Sequence, residues 1–336
     1  MYKRQGLPSH RINLGIGVEV NKTKQNSESR NYNLVNGVPV PLGTVQDTND
    51  PDLLTFGARE FSRDLQFIYL QDEWSLIPDW TLTLGIRYDH YSDYGDQVNP
   101  RMALVWGASP YLTTKLIYGR GFRGPSLVDT QTRQSPIISG NPDLNPEWIE
   151  SLELAFDYRI HPNLLTRLNL FYQETDDQIR LLRAGGSILF PTNVAQQIGR
   201  GVELEARWDI DNRTQLYGAY SYQKNEDHTT NTDIGYGPHH LWLARLQRQQ
   251  KPWNVSIQAR YVGERDRSFT DPRPRTNTYT FVDGFVSYAI TPDFEVGLDI
   301  RNFFDTDAVD DSPGTALPSD IPLPGRTYYF SVLGRF

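Results

Sequence analysis

The stretch SLELAFDYRIHPNLLTRLNLFYQ (residues 151–173) decides the fold class. Apolar residues occupy every second position from Leu152 to Ile160, and alternation returns after the short segment 161–163, which contains a proline. A period of two is that of a β-strand with one apolar face, because successive side chains of a strand point to opposite faces. Proline is a turn former. The stretch therefore predicts two antiparallel strands joined by a tight turn.

The same alternation runs along the chain, with clear examples beginning at Ile12, Leu82, Val202, Trp253 and Phe294. We count fourteen such segments, most of them ten residues or longer. A tilted strand needs about 9–11 residues to cross a bilayer, whereas strands of globular proteins average about five or six. The sequence therefore predicts fourteen long strands of membrane-spanning length.

The connections between these segments alternate between very short and long. The short ones lie at 77–80, 108–111, 160–163, 209–212, 249–252 and 290–293, and the long ones at 21–60, 92–98, 123–147, 182–198, 224–238, 265–276 and 306–324. Tight turns at one end and long loops at the other are typical of bacterial outer-membrane barrels. We expect an all-β fold, an antiparallel transmembrane β-barrel.

Charged side chains stand between the apolar positions. We expect seven of them to face the barrel lumen: Arg87, Asp89, Glu153, Arg167, Glu203, Glu205 and Arg207. Their simplest role is a ladder of cross-strand ion pairs, and contact with a plug or a ligand is the alternative. Alternation alone also fits a soluble sandwich, and the turn spacing comes near that of propeller blades. Strand length and the asymmetry of the connections favour the barrel.

Composition excludes several classes of protein. The 336 residues contain no cysteine, which excludes disulfides and thiolate metal sites. They also contain no run of eighteen apolar residues, so the sequence predicts no transmembrane helix. The net charge of −8 gives no electrostatic footprint for nucleic acid. The 19 tyrosines and 7 tryptophans fit the aromatic girdles of a membrane barrel.

Three stretches resemble TonB-dependent outer-membrane receptors. YGRGFRGPSLVDT (118–130) with GNPDLNPEWIESLELAFDY (140–158) resembles a strand, long loop and returning strand of that family, and GIRYDHYSDYGDQVNPRMALVW (85–106) resembles the hairpin before it. IRNFFDTD (300–307) with GRTYYFSVLGRF (325–336) resembles the family's last two strands and closing phenylalanine.

The resemblance implies a barrel of about twenty-two strands, filled by an amino-terminal plug that carries a TonB box. We therefore expect the chain to be the carboxyl-terminal part of a receptor that lacks its plug and first strands. Residues 1–10 are expected to be non-native or linker residues, and residues 11–336 to form a partial barrel domain.

The function implied by the resemblance is uptake of a scarce, bulky nutrient across the outer membrane of a Gram-negative cell, a ferric siderophore first, or cobalamin or haem. The implied partners are that metal-chelate or cobalamin-like ligand, TonB through the missing plug, outer-membrane lipid and lipopolysaccharide, and the assembly machinery, for which Phe336 is the expected signal. The alternative is a complete fourteen-stranded passive porin.

Arg120 and Arg123, beside a long connection, are the candidate ligand-binding residues, because guanidinium groups bind anions such as phosphates. The sequence contains no HExxH, GxSxG, Walker or dinucleotide motif, so we expect neither an enzyme nor a catalytic residue.

We expect no metal site and no cofactor. His239 and His240 stand together before a predicted strand, and no histidine lies between FRGP (122–125) and NPDL (141–144), where haem receptors of the family have one. We expect both to be plain polar residues. DTDAVDD (305–311) lacks the glycine and glutamate of an EF-hand loop and predicts a solvated loop.

Overall fold

The computed structural model describes residues 6–7, 9–23, 28–29, 33–35, 38–41, 45–46, 61–131, 133–134, 138–183, 189–194, 196–235, 237–267, 271–312 and 318–335. Within these ranges, fourteen strands of eight residues or more form one antiparallel sheet in chain order. They are β1 (His10–Thr23), β2 (Phe61–Ile77), β3 (Trp80–Tyr91), β4 (Gly95–Ser109), β5 (Leu112–Arg123), β6 (Glu147–His161), β7 (Leu164–Asp176), β8 (Gln197–Asp209), β9 (Thr214–Asp227), β10 (His240–Gln250), β11 (Trp253–Val262), β12 (Tyr279–Thr291), β13 (Phe294–Arg301) and β14 (Thr327–Gly334).

Shorter elements lie in the connections, apart from Gly6–Leu7, which precedes β1. They are one helix, α1 (Leu127–Gln131), and the strands Gly6–Leu7, Glu28–Ser29, Asn33–Val35, Val38–Val40, Val45–Gln46, Arg133–Gln134, Ile138–Ser139, Ile179–Arg183, Leu189–Asn193, Thr232–Asp233, Val309–Asp310 and Ile321–Pro322. Among the described residues, no helix is long and apolar enough to span a membrane.

The two ends of the sheet differ as the sequence predicts, with one exception. Six turns of two to four residues join β2–β3, β4–β5, β6–β7, β8–β9, β10–β11 and β12–β13. At the other end the connections are long, except that only residues 92–94 separate β3 from β4. The prediction of a long connection at 92–98 is therefore wrong. The chain reverses there in a tight turn, which Gly95 closes with a φ of 79°, in the left-handed region that favours glycine.

The apolar face of the sheet is exposed. Ile16 is 77% exposed, Leu84 48% and Phe330 82%. Among the described residues, and apart from three prolines (Pro125, Pro146 and Pro191), only four aliphatic or aromatic side chains are buried, and they are Leu65, Leu144, Val262 and Phe281. A soluble sandwich buries its apolar face against a second sheet, and a propeller divides its strands into small blades. One continuous sheet with an exposed apolar face excludes both the sandwich and the propeller. Such a face is suited to contact with the hydrocarbon core of a bilayer.

The sheet ends at two edges. The strand β14 pairs with β13, and β1 pairs with β2 and with the short strand Gly6–Leu7. Within the described residues, no ladder joins β14 to β1. The expectation of an all-β, antiparallel fold with fourteen long strands is confirmed.

Candidate functional site

All seven charged residues predicted to face the lumen lie on the polar face of the sheet, opposite the exposed apolar side chains. Part of them forms a line of charges across neighbouring strands. Lys115 Nζ lies 2.6 Å from Asp157, Arg167 Nε lies 3.2 Å from the same carboxylate, and Arg167 Nη1 lies 3.4 Å from Glu205. The hydroxyl of Tyr217 donates to Glu205 at 2.5 Å. This arrangement is the cross-strand ladder expected as their simplest role.

The remaining members of the set also have polar partners. Arg87 Nη2 lies 2.6 Å from Asp89 Oδ1, and its guanidinium group lies 4.1 Å from the centroid of the Phe67 ring. Asn169 bridges Glu153 and Glu203 through its Nδ2 at 3.5 and 3.4 Å, and Arg207 lies 3.7 Å from Asp209. Contact of these seven residues with a plug or a ligand stays a prediction.

Arg120 and Arg123 point to opposite faces of β5. Arg123 forms two hydrogen bonds with Glu147 on the polar face. Arg120 lies on the other face, where it stands 3.3 Å from Glu150 and stacks 3.9 Å above the Trp148 ring. An odd spacing along a strand separates two side chains in this way, so they cannot hold one ligand together. Their binding roles stay predictions.

Sequence reasoning missed two other arginines, Arg245 and Arg260. Among the described residues, neither has a carboxylate within ion-pair distance; each lies over an aromatic ring instead, Arg245 at 5.5 Å from Tyr217 and Arg260 at 5.6 Å from Phe281. Both line a concavity of about 490 Å³ on the polar face, together with Gln258, Phe285 and Tyr329, a third arginine, Arg301, and two aspartates, Asp283 and Asp299. Arg301 Nε lies 3.4 Å from Asp299 Oδ1.

The register explains why these two arginines lack acidic partners within the described sheet. Arg245 faces Tyr217 on one neighbouring strand and Gln258 on the other. Arg260 faces Leu243 and Phe281. A search for basic residues whose cross-strand neighbours are all neutral could have found both.

Two of the long connections are fastened to each other by arginine and aspartate side chains. We call this group the clasp; it consists of Arg265, Arg267 and Arg273 from connection 263–278 and Asp310, Asp311 and Asp320 from connection 302–326. Arg267 Nη2 lies 2.6 Å from Asp320 Oδ2, and Arg273 Nη1 lies 3.2 Å from Asp320 Oδ1. Arg265 contacts both Asp310 and Asp311, and its Nη2 donates to the carbonyl oxygen of Val309 at 2.7 Å. Only 5% of the Arg265 side chain and 6% of the Arg267 side chain is exposed.

The arginines of the clasp lower the pKa values of two carboxyl groups, those of Asp320 and Asp271. The hydrogen bond from Arg267 lowers the pKa of Asp320 to about 2. The hydrogen bond from Arg273 lowers the pKa of the neighbouring Asp271 to about 2. Hydrogen bonds and opposite charges favour the ionised form of a carboxyl group, so both groups are ionised at neutral pH.

The expectation that DTDAVDD (305–311) is simply a solvated loop is wrong for Asp311. Its side chain is 3% exposed, and it contacts Arg265 and the hydroxyl of Thr276. Local sequence could not predict this burial, because the partner Thr276 lies 35 residues earlier in the chain.

Residues 3–303 match the model of the family described as TonB dependent receptor-like, beta-barrel. The chain belongs to this family.

Two curated relatives of this receptor domain have names that refer to iron regulation and to vitamin B12 transport. The chain is 27% identical over 266 residues to the iron-regulated outer membrane virulence protein of Vibrio cholerae serotype O1, covering 70% of this chain and 40% of that protein. It is 25% identical over 343 residues to the vitamin B12 transporter BtuB of the same organism, covering 94% of this chain and 50% of the transporter.

Solved structures show the same fold. The siderophore receptor PirA from Acinetobacter baumannii has a TM-score of 0.76 at 17% identity, covering 97% of this chain and 52% of the receptor. A mutant of the ferric enterobactin receptor PfeA from Pseudomonas aeruginosa has a TM-score of 0.74 at 18% identity, covering 100% of this chain and 52% of the receptor. The chain thus spans about half, or less, of the length of the proteins it matches.

These findings confirm the family resemblance, the assignment to a receptor β-barrel and the location in the outer membrane of a Gram-negative cell. Members of this family are receptors and transporters. The expected count of about twenty-two strands in a whole barrel and the boundary at residues 10 and 11 stay predictions. Phe336, the expected assembly signal, lies outside the described residues.

Proposed function

We propose that this barrel domain serves a TonB-dependent receptor that imports a bulky, anionic metal chelate, with a ferric siderophore as the first candidate. The observation that carries the proposal is the concavity that contains Arg245 and Arg260. Two guanidinium groups that pair with no carboxylate of the described residues stand there among the rings of Phe281, Phe285 and Tyr329. Asp283 and Asp299 also line the concavity, but neither lies within ion-pair distance of Arg245 or Arg260, and Asp299 lies 3.4 Å from Arg301. The names of an iron-regulated relative and of siderophore receptors with the same fold support an iron cargo.

The physical argument concerns charge. Most other arginines of the polar face described above are neutralised by a carboxylate, which leaves little attraction for an anion. No ion pair with a described carboxylate offsets the charge of Arg245 or Arg260, and hydrogen bonds from a charged donor to an anion are worth about 1.5–3 kcal/mol. Aromatic rings add flat apolar surface for an organic chelator. The site therefore suits a large anion with an organic framework.

The two sequence-predicted arginines take separate roles in this proposal. Arg123 lies on the polar face, where Glu147 holds its Nε and Nη2, so it would meet the imported ligand through Nη1 and contribute less to binding than Arg245 or Arg260. Arg120 lies on the apolar, exposed face, 3.9 Å from the Trp148 ring, where it would meet lipopolysaccharide phosphates. The further partners are outer-membrane lipid, TonB acting through a plug, and the outer-membrane assembly machinery.

The test uses the protein at its full encoded length in a Gram-negative outer membrane. Replacing Arg245 or Arg260 by alanine should weaken binding of anionic ferric siderophores about 10–100-fold, the equivalent of one charged hydrogen bond. Arg207→Ala is the matched control, because Arg207 lies on the same face but stands 3.7 Å from Asp209. Binding would be followed by quenching of intrinsic fluorescence and uptake by radioactive iron. Unchanged affinity in both variants would contradict the proposal.

Cobalamin is the second candidate, because the vitamin B12 transporter aligns with 94% of this chain. Saturable binding of cyanocobalamin that is insensitive to Arg245→Ala would favour cobalamin over the ferric chelate.

The passive porin is not favoured by the family. Uptake that does not saturate and continues after deletion of TonB would support the porin instead of the receptor.

A further inference from the structure

Three residues from two connections bring possible metal ligands together above β9, β10 and β11. They are Asp233, His239 and Asp266. His239 Nε2 lies 2.7 Å from Asp233 Oδ2 and 3.9 Å from Asp266 Oδ2, and all three ligand atoms lie within 4.8 Å of one another. We propose that this triad binds a divalent transition-metal cation of the Zn²⁺ type and thereby joins connection 228–239 to connection 263–278.

Each carboxylate has one oxygen held by another group and the other turned to the histidine. Asp233 Oδ1 accepts the backbone N–H of Gly235 at 2.9 Å, which leaves Oδ2 towards His239. Asp266 Oδ1 contacts Arg275, which leaves Oδ2 towards His239. Outer-shell partners of this kind orient the ligands of metal sites.

The backbone around the triad continues the pairing of the sheet. Asp233 lies in the short strand Thr232–Asp233, which pairs with the end of β9. His239 follows Pro238, and Asp266 follows Arg265; Pro238 and Arg265 form a β-bridge, and Arg265 forms another with Thr276. The N–H of Gln223 donates to the carbonyl oxygen of His239 at 3.0 Å. The ligands are therefore placed by paired backbone.

The donor set and the distances fit a small cation. Two ligands at 2.0–2.1 Å from a tetrahedral Zn²⁺ lie about 3.3 Å apart, a value between the shortest and the longest separation in the triad. Imidazole favours Zn²⁺ and its neighbours, whereas Ca²⁺ prefers oxygen ligands. The three side chains are 14–23% exposed, so an ion from solution can reach them and water can occupy the fourth position.

Charge balance also permits a cation. Two carboxylates contribute two negative charges, and Arg275, which also contacts Glu264 at 3.1 Å, offsets part of them. A metal bound at His239 Nε2 would take the place of the hydrogen bond between His239 and Asp233, because a metal-bound imidazole nitrogen carries no proton. The inference rests on this geometry and holds whichever nutrient the receptor imports.

The test is titration of the full-length receptor, free of any affinity tag and washed with chelator, with Zn²⁺ in a calorimeter. One equivalent should bind, with little binding of Ca²⁺. His239→Ala and Asp266→Asn should each weaken Zn²⁺ binding more than about 100-fold, since loss of an outer-shell partner alone costs about 10–100-fold. Asp266→Asn keeps the size of the side chain and serves if His239→Ala does not fold.

His240 provides a matched control. It is the adjacent histidine, but it lies 2.9 Å from the Tyr220 hydroxyl and 5.0 Å from the Tyr222 ring, away from the triad. His240→Ala should keep the wild-type affinity for Zn²⁺. When Co²⁺ is used instead of Zn²⁺, the visible absorption of a tetrahedral site should appear only in proteins that retain His239. No binding to the wild type, equal binding in His239→Ala, or equal loss in both histidine variants would overturn the proposal.

Discussion

Arg267 donates from Nη2 to Asp320 Oδ2 at 2.6 Å and so joins two residues that are 53 positions apart in the chain. Only 6% of the Arg267 side chain and 18% of the Asp320 side chain is exposed. The contact fixes connection 263–278 to connection 302–326, next to the proposed metal triad. The clasp therefore turns two long connections into one structural unit at the rim of the sheet.

We predict that the clasp opens in acid. The pKa of Asp320 and that of Asp271 are about 2, lowered from 3.8 mainly by hydrogen bonds from Arg267 and Arg273. A carboxyl group whose pKa is lower in the folded than in the unfolded chain stabilises the fold fully above its unfolded value, and this contribution is lost as the pH falls through the folded value. Protection of these connections should thus be constant at neutral pH and fall between pH 3.8 and about 2, as measured by amide hydrogen exchange.

A substitution separates the clasp from general acid unfolding. Asp320→Asn should raise exchange in residues 265–267 and 271–276 at neutral pH, and exchange in the central strands should stay unchanged. Asp307→Asn is the control, because Asp307 is exposed in the same connection. Fast exchange in both variants, or in neither, would contradict the role assigned to Asp320.

The strands were predictable because their signal is local. Alternation along 151–173 places Leu154 and Asp157 on opposite faces, and the register of β6 and β7 shows both faces as expected. The same rule, applied to Arg120 and Arg123, would have separated them. The clasp was not predictable in this way, because Arg265 and Asp310 lie 45 residues apart and nothing local links a loop arginine to a distant aspartate.

The proposed metal triad shows the same limit. The sequence predicts plain polar roles for His239 and its neighbour His240, which stand together before a predicted strand. Asp266 comes close to His239 only through the pairing of Pro238 with Arg265. Arg245 was more predictable than the clasp or the triad but less so than the strands. Once the strand register is known, Tyr217 and Gln258 follow as its neighbours.

The exposed apolar face should not tolerate charge. Leu84 is 48% exposed and lies in the middle of β3, and an arginine near the bilayer midplane costs about 2–4 kcal/mol. Leu84→Arg in the full-length receptor should therefore lower its free energy of unfolding from lipid vesicles by that amount, as should the same change at Leu154 or Leu298. Thr83→Arg, one position earlier and on the polar face, should cost less. Equal costs at Leu84 and Thr83 would contradict the orientation of the sheet.

Gly201 should not accept a side chain. A Cβ atom there would lie 2.2 Å from the carbonyl oxygen of Tyr222 and 2.6 Å from Cζ of Phe171. The backbone oxygen cannot move without loosening the pairing of β8 with β9, and overpacking costs about 1–3 kcal/mol. Gly201→Ala should lower the free energy of unfolding by that amount in denaturant titration. Gly218→Ala on β9 is the control, since open space surrounds that position, and a similar loss there would show that steric contact is not the cause.

Asp89 is the one carboxylate of β3, and its loss should destabilise the protein more than the loss of Asp96 on the neighbouring strand β4. The Asp89 side chain is 2% exposed and accepts hydrogen bonds from Arg87 at 2.8 Å and from Asn99 at 3.2 Å. Asp89→Ala leaves both donors without this acceptor, but 39% of the Arg87 side chain is exposed, so water replaces part of the loss. We expect a cost of about 1–3 kcal/mol, the range for a buried polar group that loses its partner. The control is Asp96→Ala, because the Asp96 side chain is 61% exposed beside His90, and such surface changes usually stay within about 0.5 kcal/mol. Denaturant unfolding of both variants decides the matter: equal losses would mean that burial on the polar face contributes nothing to the stability of this strand.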